Sequence, residues 1–206
     1  CMASGKQITL FAMDCGATNW RLYRVEYRQN GNQMGIQGEP QPSPLTSFSE
    51  RKLPAIFTLD SQGTEIESIG EVSQAQLEDE HTRQRVREYF KPCIGSHLEP
   101  EPLPHQQRYS HTQALHYTGM LLSLVVEQIR AEKWRASQFD ESVRFSFAYP
   151  VHWRYQQEGA ILHDFENTVK GCFPENFHSQ IDFIPEPEGA ILSLKRHDLL
   201  DNSDNA

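Results

Sequence analysis

The stretch Ile8-Thr9-Leu10-Phe11-Ala12-Met13-Asp14-Cys15-Gly16-Ala17-Thr18-Asn19-Trp20-Arg21-Leu22-Tyr23-Arg24-Val25-Glu26-Tyr27 decides how the rest of the chain is read. Two strand-like runs, Ile8–Met13 and Trp20–Tyr27, flank a sharp turn at Asp14–Asn19. A strand, an Asp-x-Gly-x-Thr turn and a second strand can grip a phosphate. The glycine lets backbone amides approach an anion, and successive amides form an anion-binding concavity. The carboxylate is then placed to hold a hydrated Mg²⁺, which takes oxygen ligands and keeps several waters. An Asp-Gly turn between strands is also an ordinary hairpin connection.

Two later segments bear on that choice. Val143-Arg144-Phe145-Ser146-Phe147-Ala148-Tyr149-Pro150-Val151 alternates as a strand does and ends in a proline loop. Phe183-Ile184-Pro185-Glu186-Pro187-Glu188-Gly189-Ala190-Ile191-Leu192 runs from a short strand into a helix, with Pro187 at the first helical position. Between them, Leu162, Phe165, Val169 and Phe173 keep helical spacing, stopped by Gly171 and Pro174. Upstream, Leu121, Leu122, Leu124, Val125, Val126 and Ile129 predict a largely buried helix beginning near Leu115.

These segments, in this order and spacing, resemble the first half of the Hsp70 ATPase domain, within the actin-like ATPase superfamily. That family shows Asp-x-Gly-Thr-Thr, then a strand ending Val-Pro-Ala, then Asn-Glu-Pro-x-Ala-Ala-Ala opening a helix. Lys91-Pro92-Cys93-Ile94-Gly95 is similar to its Lys-Arg-Leu-Ile-Gly. Leu53-Pro54-Ala55-Ile56-Phe57, followed by Ile69-Gly70-Glu71, is similar to its Pro-Ser-Val-Val-x-Phe and Ile-Gly-x-x-Ala. The resemblance runs from about residue 7 to residue 198. It implies an α/β fold, a ribonuclease-H-like mixed sheet flanked by helices (actin-like ATPase lobe I), with a smaller inserted α+β subdomain. The core would comprise 7–38 and 113–198, and the insertion 39–112.

The same resemblance implies ATP or ADP with Mg²⁺ as cofactors. Asp14 would carry the water shell of the metal. Gly16, Ala17, Thr18 and Asn19 would form the cofactor-binding turn. Lys91 would place a cation near the γ-phosphate, where charge builds in phosphoryl transfer. Glu186 would orient the attacking water or a water of the metal. Two positions depart from the family. Ala17 stands where a threonine hydroxyl is usual, which would slow hydrolysis without preventing binding. Glu158 stands where an arginine usually follows the Pro150 relay, which puts coupling to a substrate-binding domain in doubt.

In the resembled family ATP lies between two lobes. This sequence ends at Ala206, before a second Asp-x-Gly turn is due, and holds no later Gly-Gly pair. The expected reading is lobe I alone, an excised fragment or a natural half, with the second lobe as its partner. Co-chaperones or client polypeptides would be further partners. Losing three charged hydrogen bonds at roughly 1.5–3 kcal/mol each would move a micromolar site to about millimolar or worse. ATPase activity of these residues alone is therefore expected to be negligible. The alternatives are an actin-like filament protein and a degenerate, non-hydrolysing nucleotide sensor or scaffold.

Composition narrows the remaining classes. A net charge of −9 gives no electrostatic support for binding nucleic acid or an anionic membrane. No apolar run reaches the length of a span, and no signal peptide is visible, which favours the cytoplasm. Apolar content of 37% is low but clustered enough to bury a core. Cys1, Cys15, Cys93 and Cys172 form no Cys-x-x-Cys pair and read as reduced, mostly buried thiols. The nine histidines lack metal-ligand spacing, and His111 and His116 read as loop or surface residues. Gln29–Gly38 reads as a third short strand, broken by the proline-containing Glu39–Pro44. Residues 53–72 read as two strands around Asp60–Gly63, Asp79–Tyr89 as a charged helix, and 96–112 as an exposed loop. Residues 1–6 read as a tag or disordered start, Glu186–Lys195 as a helix, and 199–206 as a frayed tail.

Overall fold

The computed structural model describes residues 6–30, 33–42, 52–70, 78–95, 109–131 and 141–186. β1 (Lys6–Cys15) and β2 (Asn19–Asn30) form the predicted antiparallel hairpin, with Asp14 opposite Arg21 and Cys15 opposite Trp20. β3 (Gln33–Pro42) pairs with β2. The sequence reading ends this strand at Gly38, but it continues through Pro42. β3 is the edge of the sheet, where a residue without an N–H need remove no ladder bond. The expected boundary between core and insertion thus falls inside a strand of the main sheet.

The main sheet has six strands in the order β3-β2-β1-β8-β9, with the short β4 (Leu53–Pro54) also pairing β2. β8 (Val143–Tyr149) runs parallel to β1, and β9 (Ile181–Pro185) parallel to β8. The fold is therefore mixed α/β. A parallel pair needs a crossover, and α3 (Ala160–Gly171) supplies it between β8 and β9. α2 (His111–Ala131) leads into β8. It starts four residues before the apolar run at Leu115, so His111 is helical rather than part of a loop.

The apolar pattern explains the layering. Phe11, Met13, Cys15 and Leu22 share one buried cluster with Phe145, Phe147 and the inward faces of both helices. In α3 the inward residues are Ile161, Phe165 and Val169, while Leu162 is only partly buried. Phe145 sits at the centre, stacked on Phe11 at 5.1 Å and edge-on to Phe173 at 4.8 Å and Phe177 at 5.9 Å.

A second sheet of three strands has the order β6-β5-β7. β5 (Ile56–Leu59) and β6 (Ile66–Ile69) flank the predicted turn, in which the Asp60 carboxylate accepts from the Thr64 amide at 2.7 Å. The expected helix at 79–89 is shorter than predicted. Asp79 caps the six-residue α1 (Glu80–Arg85), and the chain then extends as β7 (Val86–Glu88) along β5. Burial of Val86 and ladder pairing outweigh the helical charge pattern there. This sheet is joined to α2 through Phe57, Phe90 and Tyr117, whose ring centroids lie 5.7–6.4 Å apart. The expected helix at 186–195 lies, beyond Glu186, outside the described residues, as do the tail and residues 1–5. Of the loop at 96–112, only the end from residue 109 is described.

Gly95 packs tightly against α3. Its φ is +72°, and a Cβ there would stand 2.6 Å from the Ile161 side chain, which is buried. Gly95→Ala is expected to cost about 1–3 kcal/mol of folding free energy, as strained left-handed positions do. Urea unfolding checks it; an unchanged midpoint would contradict the packing described.

Candidate functional site

Parallel strands that end together create a crevice at their carboxyl ends. β1, β8 and β9 do so here: Asp14 is level with Ala148, and Ala148 with Ile184. The Asp14–Thr18 turn, the Pro150–Trp153 loop and Glu186 therefore emerge side by side. The rim that faces them comes from the small sheet, because β7 leads through Tyr89 and Phe90 into the tight turn Lys91–Cys93. The space enclosed is a cavity of about 720 Å³ lined by Asp14, Gly16, Ala17, Lys91, Pro92, Ile94, Ala148, Pro150, His152, Trp153 and Glu186.

Gly16 is required by geometry at the turn. A Cβ at this position would lie 2.4 Å from the Asn19 carbonyl oxygen. Any side chain would push the turn open and move the amides that follow. Ala17 shares the cavity, whereas Thr18 and Asn19 face a smaller neighbouring space of about 280 Å³. There the Asn19 amide donates to the Thr18 hydroxyl at 3.1 Å. The turn therefore splits between two cavities, with Asp14 and Gly16 on the larger one and Ala17 lining both.

Lys91 and Glu186 meet across that larger cavity although 95 positions separate them. The Lys91 ammonium donates to Glu186 Oε1 at 2.9 Å, and the lysine is 7% exposed. The ammonium also lies over the Trp153 ring, 6.0 Å from its centroid. Asp14 is half-exposed and lies 3.8 Å from the Arg21 guanidinium, its neighbour across the hairpin. The cavity thus presents one buried cation and two carboxylates, with Arg21 beside Asp14 on the neighbouring strand.

Sequence reasoning missed four of these contributors. Arg21 was legible in principle, since a tight turn after Cys15 places it opposite Asp14. His152 and Trp153 follow the proline that ends β8, but nothing in their spacing shows which way the loop turns. Ala148 follows from alternation along β8. His111, read as a surface residue, instead joins three segments. Its Nδ1 accepts from the Gly95 amide at 3.0 Å, and its Nε2 pairs with Asp164 at 3.1 Å. The Gly95 bond fixes Nε2 as the protonated nitrogen of the neutral ring. Glu158 does not line the cavity. It sits with Gln157 and Gly159 in a run of left-handed backbone, φ 48–86°, that precedes α3.

Cys15 lies directly beneath the turn and is 1% exposed. Burial pushes its thiol up from 9.0 to about 12, offset in part by the Lys91 cation. Between pH 9.0 and about 12, the unfolded chain would release a proton that the folded chain keeps. Stability is therefore undiminished by this group below pH 9.0 and falls as pH rises through that window. Iodoacetamide at pH 8 is expected to leave Cys15 unmodified in the folded chain and to alkylate it in urea. Peptide mass spectrometry reads the result, and rapid labelling of the folded chain would contradict this burial.

Among the described residues no three His, Cys, Asp or Glu side chains converge to ligate a metal. Mg²⁺ held through water by one carboxylate, with phosphate oxygens completing its shell, asks for no such cluster. Asp14, half-exposed on the cavity wall, fits that lesser demand. Among the described residues no helix is long and apolar enough to cross a membrane. No protein-family model matches the chain, and no curated protein matches it.

Proposed function

We propose that this chain is the phosphate-binding lobe of an Hsp70-like, actin-related ATPase. The observation that carries the reading is the meeting of Lys91 and Glu186 in the cavity that Asp14, Gly16 and Ala17 also line. A polyphosphate in this cavity would be met by the amides after Gly16 and by the Lys91 ammonium. Charge-assisted bonds of this kind are short and roughly twice as strong as neutral ones. Lys91 would trade its Glu186 partner for a phosphate oxygen, which frees Glu186 to accept a hydrogen bond from a water. Mg²⁺, brought with the nucleotide, would neutralise phosphate charge, and Asp14 would hold one of its waters. Adenosine contacts would come from a second lobe, so weak binding and negligible turnover are the expected results for these residues alone. Client polypeptides and co-chaperones would be the partners of such an ATPase.

A second reading has one observation in its favour. Ala17 lines the cavity where the resembled family presents a hydroxyl. A nucleotide sensor that binds without hydrolysing would need the same phosphate grip and no such group.

Asp14→Asn tests the reading by sign. Against Mg²⁺-ATP, the substitution is expected to weaken binding about tenfold, equivalent to ~1.4 kcal/mol. Against ATP in excess chelator, it is expected to strengthen binding a few-fold, because a like charge near 4 Å costs about 1 kcal/mol in water. Calorimetry on the 206-residue chain measures both. A change in the same direction for the two ligands would sink the assignment of Asp14.

A further inference from the structure

We propose that Trp153 is the positioning residue of this site: its indole face holds the Lys91 ammonium at the cavity wall whether or not Glu186 is bound to it. The inference rests on the reading that the cavity takes a polyphosphate anion. A lysine carries its charge on four flexible carbons, so aiming it requires contacts on more than one side. Lys91 has two. Glu186 accepts from the ammonium at 2.9 Å, and the Trp153 ring stands below it at 6.0 Å. These contacts differ in what an arriving anion does to them. A phosphate oxygen competes with the Glu186 carboxylate for the same donors. The ring attracts the cation through its quadrupole and uses up no hydrogen bond, so it persists beside a bound phosphate.

The ring is itself fixed. Trp153 is 2% exposed, its amide donates to the Pro150 carbonyl at 3.0 Å, and its indole meets Phe165 of α3 at 5.2 Å. Phe165 is fully buried in the main core. Lys91 arrives from the small sheet, and its anchor arrives from the main one. The indole therefore references the cation to the strands that carry Asp14 and Glu186. Trp153 lines the cavity, and in this role it acts through Lys91.

The test varies the charge on the ring face without varying its bulk. Tryptophan analogues with increasing ring fluorination are placed at position 153 alone by stop-codon suppression, and inorganic tripolyphosphate without Mg²⁺ is titrated by calorimetry. Affinity is expected to fall stepwise with fluorine number, reaching a three- to tenfold loss, while the melting temperature stays constant. Trp153→Phe, which keeps a π face, is expected to remain within about twofold of the parent, and Trp153→Leu to lose three- to tenfold. A flat fluorination series, with tripolyphosphate still bound by the unmodified chain, overturns the positioning role and leaves the site reading intact. Equal losses in Phe and Leu variants point to shape alone and likewise overturn it. If the unmodified chain binds no tripolyphosphate at all, the site reading fails and the role of Trp153 falls with it.

Discussion

Lys91→Met is expected to weaken tripolyphosphate or Mg²⁺-ATP binding about 10- to 100-fold, the equivalent of roughly 1.5–3 kcal/mol for a charged hydrogen bond. Methionine keeps the length and the apolar stem, so the Trp153 contact stays filled while the charge is lost. The lysine is buried and is the cation that lines the cavity. Arg21 lies beside Asp14 but is half-exposed, where water and salt screen it. Folding should suffer little, because Glu186 is 41% exposed at its side chain and can be rehydrated when its partner is gone. Calorimetry with a parallel thermal melt separates the two effects. Unchanged affinity at unchanged stability would remove Lys91 from the site.

Phe145→Ala is expected to destabilise the chain by about 3–5 kcal/mol, the usual range for truncating a buried phenylalanine. The side chain is fully buried on the central strand pair, among rings that include Phe11, Phe147, Phe173 and Phe177. Those rings come from two strands and the segment that follows α3, and rigid neighbours of this kind cannot all collapse into the void. Against a total stability of about 5–15 kcal/mol, the loss is a large fraction. Because β8 also positions Ala148 and Pro150, ligand binding should fail as the core loosens. Equilibrium urea unfolding measures the cost, and a loss under about 1 kcal/mol would mean the site is not close-packed.

The hairpin at Asp14, the buried helix after His111 and the two parallel strands were legible because each is a local pattern. Apolar periodicity reports burial, and glycine and proline report turns. β7 was not legible, since Val86-Arg87-Glu88 follows a charged helix and becomes a strand only through β5. Pro42 misled in the opposite sense: proline argues against a strand unless the strand is an edge, and edge position is a property of the whole sheet. The candidate site divides along the same line. Asp14 and Gly16 could be found from one turn. Glu186 and Lys91 came from a resemblance, and their pairing depends on tertiary closure. Trp153 belongs to the site through loop direction, which no single segment encodes.

The most direct test of the account is an amide chemical-shift titration of the ¹⁵N-labelled chain with Mg²⁺-ATP, alongside Lys91→Met. Saturable shifts are expected, concentrated at Gly16, Ala17, Lys91, Trp153 and Glu186, with a dissociation constant near millimolar, on the order of −4 kcal/mol, and their loss in the variant. Shifts scattered over the surface, or an identical response from Lys91→Met, would contradict the claim that this cavity grips phosphate.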